Sequence, residues 1–169
     1  MKKLVFGFIA TVLILSSLAV CGYYIGRNVL FRVAHTDVIQ EVSKKYDVDP
    51  YLLMALVAKE SAFNKEVMES YSPTETYNGA INLTDTAAQD WANKAGIILN
   101  KPADIADPKV SIELAGYILA TAKQNVGNDT KKQIAEFLKR NDATKNNDTY
   151  VNEVASSILI YRLLYMNLD

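Results

Sequence analysis

The chain has 169 residues, half of them apolar, with 18 Lys or Arg, 19 Asp or Glu, one Cys and one His. A single cysteine excludes an intramolecular disulfide framework. One cysteine with one histidine also excludes a Cys/His zinc cluster and a Ser-His-Asp site chosen among several histidines. Four basic and no acidic residues precede position 37, so the remainder carries 14 basic and 19 acidic residues, a net charge of −5. This acidic excess argues against a nucleic-acid partner, because phosphate contacts need a clustered basic face.

The first predicted element is a long apolar helix. Residues 4–25 include 17 apolar residues and no charge, and a helix of this length reaches about 33 Å, enough for a hydrocarbon core of about 30 Å. We predict that residues 1–25 form an uncleaved membrane anchor. The alternatives are a cleaved signal peptide and a lipoprotein acylated at Cys21. In all three cases the rest of the chain leaves the cytoplasm, and Lys2 and Lys3 favour an N-terminus inside.

A short connector at 26–34 is predicted to lead into one domain at 35–169, a length that suits a single core. Apolar residues recur there at helical spacing, between N-capping residues, prolines at first helical positions and terminal glycines. The predicted helices are 36–46, 51–61, 86–95, 108 to about 127, 130–140 and 148–167. The Asn-rich run 141–148 is predicted to be a loop. We therefore predict an all-α domain of about six or seven helices.

Strand patterns are nearly absent from the domain. The stretch 76–83 is the exception, because its Asn78-Gly79 pair is a turn signal that permits a small hairpin. We therefore predict one irregular region at 64–83, with a possible hairpin near 76–83.

Glu60 is the candidate for acid–base chemistry. In the predicted helix 51–61, Leu53, Leu56, Val57 and Glu60 follow the spacing i, i+3, i+4, i+7, which points Glu60 along the apolar face. A carboxyl group held against apolar packing is desolvated, which disfavours its charged form and suits it to donate a proton. A glutamate at a helix end is otherwise an ordinary solvated residue, so spacing alone leaves both interpretations open.

The sequence around Glu60 adds a resemblance. Residues 48–64, VDPYLLMALVAKESAFN, resemble the signature of the soluble-lytic-transglycosylase-like domains of the goose-lysozyme-like superfamily, in which a V-D-P helix runs into Glu-Ser-x-Phe-Asn. GAINLT at 79–84 is similar to the family's Gly-Leu-Met-Gln-Leu, DPKVSIEL at 107–114 to its D-P helix, and Tyr150-Val151 to its closing Tyr-Val helix. The resemblance covers about residues 36–165 and implies a lysozyme-like helical domain behind the membrane helix.

The resemblance implies an enzyme, a peptidoglycan lytic transglycosylase. Members of this family cleave the β-1,4 bond between N-acetylmuramic acid and N-acetylglucosamine with formation of a 1,6-anhydro product, which serves local cell-wall remodelling. Glu60 is implied as the single catalytic residue, first an acid and then a base, without metal or cofactor. The implied substrate-binding residues are Ser61, Gly79, Asn82, Phe137 and Tyr150.

Partners and location follow from the same resemblance. The implied partners are peptidoglycan glycan strands, the membrane through the N-terminal helix, and a secretion, conjugation or phage assembly, with no nucleic acid. The implied location is the cell membrane, with one span and the catalytic domain on the extracytoplasmic side. A secreted or lipid-anchored form corresponds to the other interpretations of residues 1–25.

Two departures from the family pattern bear on the site. The glutamine of Gly-Leu-Met-Gln is replaced by Asn82, whose side chain is one methylene shorter. The family's Ala-x-Tyr-Asn-x-Gly motif becomes AEFLKR at 135–140, so Phe137 keeps the ring without the hydroxyl. Tyr71, Tyr77 and Tyr150 are candidates to supply that hydroxyl, and a core role for Phe137 is the simpler alternative.

The sequence is also compatible with two other functions. A relative with little or no catalytic activity would hold glycan strands and dock onto a larger assembly. A hydrolytic lysozyme would pair Glu60 with a second carboxylate, for which the sequence offers Glu69, Glu75 and Asp85.

Overall fold

The computed structural model describes residues 2–142, 146–166 and 168, and the side chains of residues 2–5 lie outside this description. The chain divides into two compact units, Met1–Arg32 and Val33–Asp169. In the first unit, helix α1 spans Lys2–Ile25 and continues as a π-helical turn at Gly26–Leu30. Five residues of the predicted connector 26–34 are therefore helical.

The first unit contains a helix that can cross a membrane by length and composition. The apolar stretch Phe6–Leu30 is 25 residues long and none of it is buried, properties that membrane anchors share with signal sequences. The hydroxyl groups of Thr11, Ser16 and Ser17 donate to backbone carbonyls four residues earlier, at 2.8–3.0 Å. These bonds satisfy the polar atoms within the helix, as a lipid surrounding requires.

The second unit is helical in its described residues, which confirms the predicted fold class. Its helices are α2 at Thr36–Tyr46, α3 at Pro50–Ser61, α4 at Lys65–Met68, α5 at Asp85–Ala95, α6 at Pro108–Val126, α7 at Thr130–Leu138 and α8 at Asp148–Leu164. A 3-10 turn at Pro102–Ala106 precedes α6. The sequence did not predict α4, because a single turn is too short to show a period of 3.6 residues.

Some predicted boundaries differ from the structure. Helix α7 ends at Leu138, two residues before the predicted end, because the chain tightens into i→i−3 hydrogen bonds from Lys139 and Arg140. Helix α8 ends at Leu164, and position 167 of its predicted range lies outside the described residues. The same holds for residues 143–145 of the predicted loop 141–148.

The possible hairpin near 76–83 is reduced to a single antiparallel bridge. Asn78 and Leu83 exchange both backbone hydrogen bonds, at 2.9 and 3.0 Å, and this is the strand-like pairing in the residues that the structure describes. The bridge closes the loop 78–83, which carries two of the predicted site residues.

Helix α3 is the centre of the core. Seven consecutive residues at 51–57 are buried, which is the pattern of a helix surrounded by other elements. Asp49 caps its first turn by accepting from the backbone N–H groups of Tyr51 and Leu52, and the Tyr51 hydroxyl donates to the carbonyl of Tyr165. Helix α3 packs against α2, α6 and α8, and these contacts hold its C-terminal end in place.

Helix α6 supports the other side of the core. It packs against α2, α5 and α7, and Gly116 permits the close approach of α2, because a Cβ atom there would lie 2.2 Å from Cγ1 of Val42. Helix α7 in turn packs against α8. This arrangement brings the end of α3, the loop 78–83, the end of α7 and the start of α8 to one place.

Candidate active site

Glu60 lies at the last turn of α3, where the buried helix reaches the surface. Its side chain is 10% exposed, and Ala62 and Phe63 then turn the chain with left-handed φ values of 51° and 50°. The carboxylate faces a cavity of about 490 Å³. The cavity is lined by Glu60, Glu75, Thr76, Tyr77, Asn82, Arg140 and Asn141.

Three side chains from three different elements donate hydrogen bonds to this carboxylate. Nη2 of Arg140 lies 2.7 Å from Oε2 of Glu60, and Nδ2 of Asn82 lies 3.1 Å from the same oxygen. The hydroxyl of Tyr150 donates to Oε1 at 2.6 Å. Glu60 is therefore oriented by one charged and two neutral donors.

Asn82 reaches Glu60 from the loop 78–83. Its Nδ2 also donates to the backbone carbonyl of Glu60, at 2.9 Å, and the backbone carbonyl of Asn82 accepts from Nδ2 of Asn141 at 2.6 Å. The conformation of this loop requires glycine at position 79. Gly79 has a φ of +73°, and a Cβ atom there would lie 2.5 Å from the backbone carbonyl oxygen of Ile105, which leaves no room for a side chain.

Tyr150 belongs to the first turn of α8, whose N-terminus is capped by Asn147. Burial raises the pKa of Tyr150 well above its usual value. The negative charge of Glu60 raises this pKa further, whereas the positive charge of Arg140 lowers it. The phenol therefore keeps its proton at neutral pH and remains a hydrogen-bond donor toward Glu60.

The structure does not bring every predicted substrate-binding residue to the cavity. Ser61 is buried, its hydroxyl donates to the carbonyl of Val57 at 2.9 Å, and its oxygen accepts from the N–H of Phe63. Phe137 is fully buried beneath the guanidinium group of Arg140. It lies in the core, which is the simpler of the two roles that the sequence allowed. Gly79 is also buried and acts through its backbone conformation.

Sequence reasoning missed Arg140, which the structure places against Glu60. A signal was present, because Arg140 follows Phe137 at i+3 on the apolar stripe of the predicted helix 130–140, and a charge on such a stripe needs a buried partner. Among the tyrosines considered as sources of a hydroxyl, Tyr150 contacts Glu60, whereas Tyr71 donates to Asp85 at 2.9 Å.

The three alternative carboxylates lie in different surroundings. Glu75 lines the cavity together with Glu60, whereas Glu69 pairs with Lys65 and Asp85 accepts from Tyr71. In the described part of the chain, no group of three or more His, Cys, Asp or Glu side chains is arranged to hold a metal ion. The carboxylate of Glu60, which lines the cavity, belongs to a class of side chain that can give and take a proton.

Comparison with known proteins identifies the family of the helical domain. The family model for the transglycosylase SLT domain matches residues 37–150, well over half of the chain, and no curated protein matches the sequence. The lytic transglycosylase Slt of Pseudomonas aeruginosa, solved as an inactive mutant, has a similar fold, with a TM-score of 0.54 and 23% identity over 79% of this chain and 24% of that one. The chain thus spans about a quarter of that protein, and by its family match it belongs to the transglycosylase SLT domain family.

Proposed function

We propose that this protein is a membrane-tethered enzyme that cleaves the β-1,4 bond between N-acetylmuramic acid and N-acetylglucosamine of peptidoglycan, with formation of 1,6-anhydro-N-acetylmuramic acid. The observation that supports this best is the carboxylate of Glu60 in the wall of the cavity, oriented by Arg140, Asn82 and Tyr150. None of these three partners is a second acid, as expected for a reaction in which one carboxylate performs both proton transfers.

In the first step, protonated Glu60 acts as general acid. Its proton moves to the glycosidic oxygen while the bond from that oxygen to C1 of the muramyl residue breaks, and the bonding electrons leave with the oxygen. The N-acetylglucosamine side departs as a neutral alcohol, and Glu60 becomes a carboxylate beside Arg140. Positive charge develops at C1 as this bond breaks.

In the second step, the Glu60 carboxylate acts as general base. The C6 hydroxyl oxygen of the same muramyl residue forms a bond to C1, and its proton moves to Glu60. The ring closes without water, and Glu60 returns to its protonated starting state, so protons balance over the cycle. Asn82 and Tyr150 keep the carboxyl group in place between the two transfers.

The Tyr150→Phe variant tests the hydrogen bond to Oε1. Loss of a bond to a charged group costs about 1.5–3 kcal/mol, so we expect kcat/KM for glycan cleavage to fall by about 10- to 150-fold. The matched control is Tyr46→Phe, which removes a tyrosine hydroxyl from the carboxylate of Glu113 on another part of the domain. Equal effects of the two substitutions would contradict a role for Tyr150 at Glu60.

We further propose that α1 anchors the chain in the cell membrane as a single span, with the helical domain on the extracytoplasmic side, where peptidoglycan lies. The length and composition of Phe6–Leu30 support a span, and Lys2 and Lys3 favour an N-terminus inside. A cleaved signal peptide and a lipid anchor at Cys21 are the other outcomes that the test below distinguishes.

One experiment tests both the reaction and the anchor. The full-length chain is recovered from alkali-washed membranes in detergent, its mass is measured, and it is then incubated with purified sacculi for mass analysis of the released muropeptides. We expect unprocessed chain in the membranes and anhydro-muropeptides as the main product. A shortened chain in the medium, or an acylated one, would contradict the proposed anchor.

Glu75 supports a second candidate function, because it lines the same cavity as Glu60, and a second carboxylate is the group that activates a water molecule in a hydrolytic glycosidase. The same mass analysis separates the two reactions. A hydrolytic lysozyme leaves muropeptides with a free reducing end, heavier than the anhydro products by one water molecule, and such products would end the transglycosylase proposal. Binding of sacculi without any release would identify a glycan-binding relative.

A further inference from the structure

Arg140 is the charged residue that lies deepest at the site. Its side chain is 2% exposed, and a buried guanidinium group requires partners for its N–H groups. Nε donates to the carbonyl of Ile81 at 3.0 Å, and Nη1 donates to the carbonyl of Phe137 at 3.4 Å. The guanidinium carbon also lies 4.7 Å from the centre of the Phe137 ring. Backbone carbonyls and a core aromatic ring therefore hold Arg140 independently of Glu60.

The two carboxylate oxygens of Glu60 face different kinds of partner. Oε2 faces Arg140 and Asn82, whose nitrogen atoms donate and cannot accept a proton. Oε1 faces the hydroxyl of Tyr150, which can donate to a carboxylate and accept from a carboxylic acid. A proton on Oε2 would point at N–H groups, which cannot accept it. The hydroxyl of Tyr150, in contrast, can pair with Oε1 whether this oxygen carries a proton or not.

We propose that Arg140 is a positioning residue that holds Oε2 of Glu60 and thereby presents Oε1 as the oxygen that gives and takes the proton. This inference rests on the proposed catalytic role of Glu60. Arginine suits the task because its planar fork reaches the Ile81 carbonyl and Glu60 together, which a single ammonium group cannot do. Arg140 stands where the family motif Ala-x-Tyr-Asn-x-Gly has glycine.

The test is steady-state kinetics of the full-length chain in detergent, with soluble uncross-linked glycan strands as substrate. For Arg140→Ala we expect kcat to fall by about 100-fold, because a loosened acid leaves the reacting geometry, while KM stays within about twofold of wild type. Added guanidinium ion at millimolar concentration is expected to restore part of kcat, because it fills the vacated site beside Glu60. Circular dichroism and thermal melting check that the variant is folded.

Arg162→Ala is the matched control. Nη2 of Arg162 lies 2.7 Å from Oδ2 of Asp49, and its guanidinium carbon lies 5.1 Å from the centre of the Tyr51 ring, outside the cavity. Arg162→Ala thus removes an ion pair of the same kind, also over an aromatic ring, at a site that does not contact Glu60. We expect its kcat to stay within about twofold of wild type and to be insensitive to guanidinium.

Each outcome decides the proposal. A folded Arg140→Ala variant with unchanged kcat, or with raised KM and unchanged kcat, would overturn it, and the second result would make Arg140 a substrate-binding residue. If this variant does not fold, Arg140→Lys decides by the same criterion: a fall of about 10-fold or more in kcat supports the role of the fork, and unchanged kcat overturns it. An inactive wild-type chain would instead refute the proposed function.

Discussion

Replacing Glu60 by glutamine is expected to abolish the release of anhydro-muropeptides from purified sacculi. Glutamine has nearly the same shape and keeps an oxygen for Arg140, but its amide neither gives a proton to the glycosidic oxygen nor takes one from the C6 hydroxyl. General acid–base catalysis contributes about 10²- to 10⁴-fold, and both proposed steps depend on this one residue. We therefore expect the rate to fall by at least that factor, measured as anhydro product formed over time.

Glu75→Gln is the control for this substitution. It removes a carboxylate from the same cavity, and under the proposed mechanism it leaves anhydro-product formation within about threefold of wild type. Because Glu60→Gln leaves the charge of Arg140 without its counter-ion, both variants are assayed below the melting temperature found for each. Continued product release by a folded Glu60→Gln variant would refute the proposed mechanism, and a complete loss in Glu75→Gln would favour a reaction with two carboxylates.

Replacing Gly79 by alanine is expected to have the largest effect on stability among glycine substitutions near the site. The φ of +73° places an alanine in the left-handed region at a cost of about 1–2 kcal/mol. The new Cβ would lie 2.5 Å from the backbone oxygen of Ile105, and such overpacking adds about 1–3 kcal/mol. We expect the free energy of unfolding to fall by about 2–5 kcal/mol, measured by denaturant unfolding followed through the fluorescence of Trp91.

Gly96→Ala separates these two contributions. Gly96 has nearly the same φ, +71°, but a Cβ added there meets no atom within 4 Å. This control is therefore expected to lose only about 1–2 kcal/mol. Equal losses in the two variants would show that the contact with Ile105 has no energetic weight. Because the loop of Gly79 carries Asn82, a lower kcat is expected for Gly79→Ala alone.

Much of the fold could be predicted from local sequence. The cap and proline at Asp49-Pro50 and at Asp107-Pro108 start α3 and α6 where the structure has them, because these residues act on the backbone within one helical turn. The terminal Gly96 and Gly127 mark the ends of α5 and α6 for the same reason. The possible hairpin near 76–83 is reduced to one bridge between Asn78 and Leu83, because a two-stranded pairing without a third strand has little stability of its own.

The sequence by itself determined the all-helical domain, the apolar N-terminal segment and the placement of Glu60 at the end of a buried helix, because these follow from spacing along the chain. Only the tertiary structure decided which side chains reach Glu60. Arg140 follows the end of α7, 80 residues after Glu60 in the chain, and lies against the buried ring of Phe137. Such partners depend on how separate helices pack, and short-range periodicity carries no information about distances between them.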